Sequence, residues 1–237
     1  MHNSATERDI AHVAAAIGDP SRAKVLCALA DGRALPASSL AVAAGVSVST
    51  ISEHLARLRE AKLLTVEHDG RYRHYRLASP DVARALEELA RIARPLPVRS
   101  LREGVRAHAL LRARLCYDHL AGRLGVALLS ALVVDGVLAR AAGSYRITAT
   151  GRDRLGAFGV DLAEFSRRRP VIRYCVDWGE NRHHLAGALG AAITRRLFTL
   201  DWLGRGRARR VVRLTEAGAA GLHDTFGLPR DWDTSPS

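Results

Sequence analysis

Residues 38–77 read SSLAVAAGVSVSTISEHLARLREAKLLTVEHDGRYRHYRL, and this stretch decides the fold of the first part of the chain. Ala44-Gly45-Val46 predicts a tight turn between two helices, and the hydroxyl of Ser47 can cap the second helix by accepting an unpaired backbone N–H. The apolar residues of that second helix recur at spacings of four and three: Ile51, Leu55 and Leu58. Such spacing buries one face of a helix. The stretch therefore predicts a helix-turn-helix over residues 36–62.

The opposite face of the second helix carries small polar side chains followed by a cation. A helix of this kind fits the major groove of DNA, where its N-terminal half can contact base edges while an arginine contacts phosphate. The residues predicted to contact DNA from this helix and its cap are Ser47, Ser49, Thr50, Ser52, His54 and Arg57. The second helix is therefore expected to be the one that enters the duplex.

Two β-prone runs follow this helix and flank Asp69-Gly70, a strong hairpin signal, which predicts a wing over residues 63–78. Strand alternation puts Arg71 and Arg73 on one face, where a wing contacts phosphate or the minor groove. The wing residues predicted to contact DNA are Arg71, Arg73 and His74. An ordinary solvated hairpin would carry similar charges, so this prediction depends on the helix pair beside it.

Three stretches of this part of the chain resemble the ArsR-type winged helix-turn-helix repressors, a family of metal- and metabolite-responsive bacterial regulators. They are IGDPSRAKVLCAL at 17–29, LAVAAGVSVSTISEHLARLREAKLL at 40–64 and DGRYRHYRL at 69–77. The resemblance covers residues 1 to about 95. It implies a homodimer that binds a double-stranded DNA operator and that an effector releases. The first and last helices of this domain, predicted over 6–17 and 81–94, would pair across the dimer axis.

Two features depart from the family pattern. Lys62 stands before the first wing strand, where such proteins often carry glycine. The helix at 36–46 contains no cysteine, although many metal-sensing members have a thiolate pair there. Any effector site of the metal type must therefore lie elsewhere in the chain. Cys27, between Leu26 and Leu29, is predicted to be a small buried residue.

The composition indicates a globular, basic protein. The chain has 237 residues, of which 48% are hydrophobic, and a formal net charge of +12. Residues 1–98 contain 13 basic and 11 acidic residues, and the remainder contains 23 and 13, so the excess lies mostly outside the predicted DNA-binding domain. This excess of positive charge could contact nucleic acid, could bind an anion, or could simply lie on the solvated surface. Three cysteines, no signal-peptide segment and no apolar run of membrane length predict a cytoplasmic protein without a membrane partner.

Arg94-Pro95-Leu96-Pro97 stiffens the chain and separates a first domain, residues 1–95, from a second, residues 96–237. The second contains an internal repeat, with copies at about 112–165 and 171–228. Each copy is predicted to consist of a helix pair, a short strand, a threonine cap and a final helix. The predicted fold class is mainly α with small β-hairpins (α+β): a winged helix-turn-helix domain followed by a duplicated winged-helix-like helical domain.

Each copy opens with thiol, carboxylate and imidazole groups, which are the ligand types of zinc and of softer divalent ions. The candidate effector or metal residues are Cys116, Asp118, His119, Cys175, Asp177, His183 and His184. His119 follows Cys116 by one helical turn, so both can face one site, and pairing of the copies would bring four or more ligands together. The alternatives are that these residues pack and cap helices, or that the ligand is a small organic molecule.

These patterns predict a sequence-specific, DNA-binding transcriptional regulator: a repressor released by a metal ion or small molecule bound in the second domain. A metal-independent regulator with purely structural clusters is the alternative. The competing class is a thiol or zinc enzyme. The sequence disfavours it, because there is no glycine-rich phosphate loop and no HExxH motif. We therefore predict no catalysis and no certain cofactor, with a divalent metal such as zinc or a soft heavy metal as the candidate effector.

Overall fold

The computed structural model describes residues 8–70 and 72–234, which form two compact units. The first unit extends to Leu86 and the second begins at Glu87. The mixed helix and strand content agrees with the predicted fold class. Arg71 and the first residues of the predicted helix over 6–17 lie outside the described residues. Within the described ranges, no helix has the length and apolar character that a membrane crossing needs.

The first unit combines short helices with a three-stranded antiparallel sheet. Its helices are α1 (Ile10–Ile17), α2 (Pro20–Leu29), α3 (Ala37–Ala44), α4 (Val48–Glu60) and the beginning of α5 (Pro80–Ile92). Its strands are β1 (Leu35–Pro36), β2 (Leu64–Asp69) and β3 (Tyr72–Leu77), in the order β1-β3-β2. The wing strand β3 therefore lies in the middle of the sheet, and β1 is an edge strand that the sequence pattern does not predict.

The helix-turn-helix forms as predicted because its turn and cap residues act locally. Gly45 ends α3 with a φ of 74°, a left-handed conformation that glycine adopts without strain. The N–H of Thr50 donates a hydrogen bond to the Ser47 hydroxyl at 3.2 Å, which caps α4. The three apolar residues of α4 are at most 1% exposed: Ile51, Leu55 and Leu58. The predicted helix-turn-helix and wing are thus confirmed.

Two details of the first helices differ from the prediction. α1 begins only at Ile10, because the Asp9 carboxylate caps it by accepting the N–H of His12 at 2.9 Å. Cys27 is exposed rather than buried. The buried face of α2 is formed instead by its neighbours, chiefly Val25, Leu26 and Leu29. The cysteine lies on the face of the helix that the core does not use.

In the second unit, helix α6 (Leu101–Arg112) precedes two copies of one order of elements: hairpin, helix, hairpin, helix. The first copy contains β4 (Arg114–Cys116), β5 (His119–Ala121), α7 (Gly122–Val134), β6 (Leu138–Ala141), β7 (Ser144–Ile147) and α8 (Ala149–Ala157). The second contains β8 (Arg173–Val176), β9 (His183–Ala186), α9 (Gly187–Thr199), β10 (Leu203–Arg205), β11 (Val212–Leu214) and α10 (Glu216–Phe226).

The opening of each copy shows that the predicted helix pair is wrong. β4 and β5 pair with Cys116 opposite His119, and β8 and β9 pair with Cys175 opposite His184. Tyr117, with a φ of 62°, lies in the tight turn between β4 and β5. Strands of three or four residues are too short to show the alternation that identifies a strand. The single strand predicted later in each copy is likewise a two-stranded hairpin.

The two copies pack closely against each other around one apolar core. A Cβ added to Gly125 of α7 would lie 3.5 Å from the Cβ of His184. A Cβ added to Gly190 of α9 would lie 3.4 Å from the Cβ of His119. Each copy therefore supplies the glycine against which the histidine of the other copy packs, and this reciprocity places both histidines at the centre of the second unit.

One connection between a helix and the following hairpin recurs after α4, α7 and α9. The second residue after each helix is left-handed, with φ values of 56°, 72° and 54° at Lys62, Gly136 and Asp201. A backbone hydrogen bond of 3.0–3.1 Å then closes each hairpin, from Ala78 to Leu63, from Thr148 to Val137 and from Thr215 to Trp202. Both units therefore contain the same connection from a helix to a hairpin.

Candidate DNA interface and candidate metal centre

The solvent side of α4 carries most of the predicted DNA-contacting residues. The exposed ones are Ser47, Ser49, Thr50, Ser52 and Arg57. The Ser47 hydroxyl lies 2.8 Å from the hydroxyls of both Ser49 and Thr50. Arg57 pairs with Glu53 at 2.6 Å on the exposed surface. A phosphate can replace this partner easily, because exposed pairs contribute at most about 1 kcal/mol.

His54 is placed differently from the prediction. Its side chain is only 16% exposed, and its Nδ1 lies 4.0 Å from Oδ1 of Asp19, the residue that caps α2. Position 54 borders the buried face of α4, directly before Leu55. This position suits a contact that braces α4 against the start of α2 better than a contact with a base.

The wing presents Arg73 to solvent. Arg73 lies opposite His68 in the β2–β3 register and is exposed. His74, the next residue, is half-buried and lies opposite Glu67. Arg76 forms an ion pair with Glu67 at 2.5 Å. Of the described wing arginines, Arg73 is therefore the better placed for a phosphate, while Arg71 lies outside the described residues.

Two hairpins bring four soft donors of the second unit into one buried cluster. Cys116 and His119 face each other across β4–β5, and Cys175 and His184 face each other across β8–β9. Their sulfur and ring nitrogen atoms all lie within 4.8 Å of one another, and none of the four residues is more than 6% exposed. We refer to these four residues as the four-donor cluster.

Contacts inside the four-donor cluster run between the two copies. The Cys175 sulfur lies 3.7 Å from Nε2 of His119, and the rings of His119 and His184 stack with centroids 5.3 Å apart. Both ring nitrogens of His184 are buried and have no hydrogen-bond partner within the described part of the chain. Burying a polar atom without a partner costs free energy. A ring nitrogen of His184 is therefore available to bind a metal ion.

The electrostatic surroundings shift the pKa values of the two histidines in opposite directions. Burial, followed by the charges of His119 and Arg114, holds the pKa of His184 well below its ordinary value, so its lone pair is available. Burial also opposes a charge on His119, but Cys116 and Asp118 outweigh it and raise the pKa of His119 to about 9. The hydrogen bond with Cys175 and burial raise the pKa of Cys116 well above its ordinary value. A bound cation would therefore have to displace protons.

The two predicted aspartate ligands lie beside the cluster rather than in it. Asp118 Oδ1 is 3.3 Å from Nδ1 of His119, and Asp118 also pairs with Arg169 at 2.6 Å. Burial opposes the charge of Asp118, but the hydrogen bonds from His119 and Arg169 lower its pKa to about 2. Asp177 Oδ2 is 3.6 Å from Nδ1 of His184. Each aspartate thus stands at the Nδ1 side of its own histidine, which leaves Nε2 for an ion.

His183 also lies outside the four-donor cluster. Successive residues of a strand point to opposite faces, so His183 and His184 cannot share one site on β9. The ring of His183 instead lies 3.0 Å from the Tyr145 hydroxyl and stacks on Tyr174 with a centroid distance of 4.0 Å. Its predicted role as an effector ligand is replaced by packing against two tyrosines.

The sequence pattern misses a buried arginine next to the cluster. Arg114 is completely buried and pairs with Asp177 and Glu87, which lie 63 and 27 residues away in the chain. No local pattern links residues so far apart. The only signal is an arginine in the short segment directly before Cys116, where a basic residue would have to be paired if it were buried.

The donor set of the cluster fits a tetrahedral, thiophilic divalent ion. Zinc takes two cysteines and two histidines at about 2.3 Å and about 2.0–2.1 Å, so such ligand atoms stand about 3.3–3.8 Å apart. Atoms within 4.8 Å of one another would reach this geometry by a small contraction. Calcium and magnesium prefer oxygen ligands. Four protein ligands would also leave no open position for a substrate, which a catalytic zinc site keeps.

A helix-turn-helix followed by a hairpin wing defines the class of winged-helix DNA-binding regulators. The family model described as "Bacterial regulatory protein, arsR family" matches residues 19–66. The chain is 40% identical over 211 residues to the uncharacterized HTH-type transcriptional regulator YdfF of Bacillus subtilis, covering 89% of this chain and 93% of that protein. The chain therefore belongs to the ArsR family of DNA-binding transcriptional regulators.

Other similarities cover about a third of the chain. The HTH-type transcriptional regulator CmtR of Mycobacterium tuberculosis is 38% identical over 86 residues, which is 36% of this chain and 72% of that protein. The solution structure of CmtR, titled a cadmium metal-sensor, is 35% identical with a TM-score of 0.32 and covers 38% of this chain and 94% of that one. All these names describe regulators rather than enzymes.

Proposed function

We propose that this protein is a repressor which a thiophilic divalent metal ion releases from DNA, and that the four-donor cluster binds the ion. The observation that carries the proposal is the convergence of four buried soft donors within 4.8 Å. The unpartnered ring nitrogens of His184 support it. One relative, CmtR of Mycobacterium tuberculosis, is described as a cadmium metal-sensor.

The operator contacts come from α4 and the wing. The exposed hydroxyls of Ser47, Ser49 and Thr50 suit base edges in the major groove. Arg57 and Arg73 are placed to neutralise phosphates. We retain Ser52, Arg71 and His74 as further contacts and leave out His54, because it packs toward Asp19.

The DNA-bound form is a homodimer that recognises two half-sites. One short helix buries too little DNA surface for specific binding, whereas a dimer doubles the contacts. α1 and α5 carry exposed apolar side chains suited to self-association: Ile10, Leu89 and Ile92. The family resemblance implies pairing of these same two helices.

The second unit is a duplicated winged-helix-like sensor domain. Its two copies share the order of elements, a threonine cap and the helix-to-hairpin connection that also follows α4. Their helices α7 and α9 face a common core instead of solvent, so they are suited to sensing rather than to contacting DNA. The cysteines form no disulfide, which together with a DNA partner fits the reducing cytoplasm.

Release follows from linkage between two binding sites. Cys116, Cys175, His119 and His184 hold an ion best in the conformation that brings their donor atoms together. If that conformation binds DNA less well, ion binding weakens operator affinity by the difference. A coupling of about 1–3 kcal/mol, or about 5–150-fold in affinity, is typical. A bound ion would supply positive charge between the donors of the two copies.

A second candidate is a metal-independent ArsR regulator in which the cluster only packs. Cys116 and Cys175 belong to a small buried group with Ala121 and Ala186. The buried Cys116 thiol, with its raised pKa, behaves as a small hydrophobic residue. This alternative predicts that the cysteines matter for stability and not for a response to an ion.

Titration of cadmium into a gel-shift assay separates the two candidates. Operator fragments are first selected from random DNA by the protein itself. We expect cadmium to weaken operator binding of the wild type at least about tenfold. Cys116→Ser and Cys175→Ser should bind the operator normally without responding. Cys27→Ser is the matched control, because Cys27 is exposed on α2, outside the cluster, and it should respond like the wild type.

Cobalt substitution supplies a second measurement that does not depend on DNA. Two thiolates bound to cobalt give sulfur-to-metal charge-transfer bands in the near ultraviolet, and each serine variant should lose part of their intensity. A wild type without these bands would refute the metal site. Serine variants that both fail to fold, beside a wild type that binds no cobalt, would favour the packing role.

A further inference from the structure

Three buried charges and one partly buried arginine form a network beside the four-donor cluster. The guanidinium of Arg114 lies 3.0 Å from Asp177 and 3.2 Å from Glu87. Arg210 pairs with the other carboxylate oxygen of Glu87. The ring of Trp178 covers Arg114 at 4.2 Å. Two cations and two anions balance, and because removing one member would leave an uncompensated buried charge, the members are held in place by one another.

One end of this network reaches the cluster. Asp177 Oδ2 accepts the N–H of Gly122 at 2.7 Å and lies 3.6 Å from Nδ1 of His184. A histidine that binds a metal commonly donates its other ring N–H to a carboxylate. Asp177 is the carboxylate next to this nitrogen. With an ion on His184, Asp177 would therefore divide its oxygens between His184 and Arg114.

The other end of the network lies on α5. Glu87 is only 3% exposed, and it belongs to the second unit. The helix that carries it, Pro80–Ile92, begins within the first unit. Arg210, the second partner of Glu87, is itself fixed, since its Nε donates to the carbonyl of Leu115 at 3.0 Å. A change in the pairing of Arg114 therefore acts on a helix that is continuous with the DNA-binding unit.

The aspartate of the first copy has no equivalent connection to α5 within the described residues. Its aspartate, Asp118, pairs with Arg169, and the two side chains are 30% and 32% exposed. A pair so open to water holds its partners weakly. The two copies are thus alike in their ligands and unlike in what their aspartates contact. Of the two aspartates, Asp177 is the one connected to α5, through Arg114 of the first copy.

We propose that Asp177, Arg114 and Glu87 transmit the occupancy of His184 to α5, and that Glu87 is the positioning residue through which the ion changes operator affinity. This inference rests on the proposed function, because it describes how the same site regulates DNA binding. Glu87 does not contact the ion; it fixes α5 relative to the strand that ends in Cys116.

Glu87→Gln tests the proposal on the full-length protein, because it removes the charge and keeps the shape. Glu88→Gln is the matched control: Glu88 is the next residue of α5 and pairs with Arg91 on the surface. We expect Glu87→Gln to keep the cobalt spectrum and the metal-free operator affinity of the wild type. Cadmium should weaken its operator binding less than about twofold, against at least about tenfold for the wild type and Glu88→Gln.

Hydrogen exchange gives a readout that a merely structural role would not move. The amides of α5 should change their exchange rates on addition of cadmium in the wild type and not in Glu87→Gln. A Glu87→Gln protein that still loses about tenfold affinity with cadmium would overturn the relay. If Glu87→Gln does not fold, Arg210→Lys is measured instead, since it keeps the charge and alters the geometry. Loss of the cadmium response in this variant would support the relay, and a wild-type response would overturn it.

The failure of this inference differs from the failure of the proposed function. A wild type that binds cobalt through thiolates while its operator affinity ignores cadmium would refute metal-controlled repression itself. A wild type that responds, together with a Glu87→Gln protein that responds equally, would leave repression intact and refute only the route through Glu87.

Discussion

Helix α4 of the first unit and helices α7 and α9 of the second lead into their hairpins in the same way, yet their surroundings are opposite. α4 buries three of its 13 residues, whereas α7 buries eight of 13 and α9 seven of 13. The shared connection fixes the shape of a helix–hairpin unit. The residues on the outer face determine whether the helix stays exposed, as α4 does, or is buried in the core of the second unit, as α7 and α9 are.

The composition of those faces explains the difference. α4 presents exposed hydroxyls and an arginine, whose hydrogen bonds among the described residues run only to α4 and its cap. α7 and α9 present glycine where they meet the other copy, at Gly125 and Gly190, and glycine allows a backbone to approach closely. A comparison of variants on the two kinds of face therefore tests whether the assignment of partners is correct.

The largest expected effect comes from filling the glycine positions. A Cβ at Gly125 would lie 2.5 Å from the carbonyl oxygen of Leu120, and one at Gly190 would lie 2.6 Å from that of Leu185. Both contacts involve backbone, which cannot move aside easily. We expect Gly125→Ala and Gly190→Ala each to lower the free energy of unfolding by about 3 kcal/mol, measured by urea denaturation.

Gly156→Ala is the control for these glycine variants. Gly156 lies within α8, and no atom stands within 4 Å of an added Cβ. Alanine there should raise the free energy of unfolding by about 0.5–1 kcal/mol, because glycine is the poorer helix former. Equal and small effects at all three positions would show that α7 and α9 do not approach the carbonyls of Leu120 and Leu185 closely.

An intermediate effect is expected from the basic residues of the DNA face. Arg57→Ala and Arg73→Ala should each weaken operator binding and reduce the slope of log affinity against log salt by about 0.9, because one phosphate contact no longer releases a counterion. Arg152→Ala, an exposed arginine of α8, should leave the slope unchanged. A full wild-type slope in the first two variants would remove these residues from the operator contacts.

The smallest expected effect concerns the shared connection itself. Lys62 and Asp201 are left-handed, as is Gly136 at the equivalent position. Lys62→Gly should raise the free energy of unfolding by about 1 kcal/mol, since it relieves the strain of a side chain at positive φ. Asp201→Gly should raise the free energy of unfolding by a smaller amount, because aspartate tolerates this conformation better than lysine. If thermal unfolding shows that neither variant is more stable than the wild type, the side chains at these positions are not strained.

The comparison also shows how much of the molecule its sequence can predict. Gly45, Ser47 and Asp69-Gly70 act on their immediate neighbours, so the helix-turn-helix and the wing could be predicted closely. The hairpins at the start of each copy could not, because β4 and β5 contain three residues each. A pattern needs several alternations before it identifies a strand.

The candidate metal site could be predicted only in part. Its cysteines and histidines could be predicted from the repeated Cys-x-Asp pattern. The geometry could not: Cys116 and His119 share a site as partners across a hairpin and not as neighbours on a helix. The buried pairing of Arg114 with Glu87 joins residues 27 positions apart, and no local pattern reports such a contact.

The four-donor cluster is divided equally between two hairpins. During synthesis, the ligands of the first hairpin therefore emerge before those of the second. His119 leaves the ribosome 56 residues before Cys175. At about 5–20 residues per second this interval lasts roughly 3–11 seconds. A nascent chain therefore contains the complete helix-turn-helix segment before both hairpins of the four-donor cluster have been synthesised.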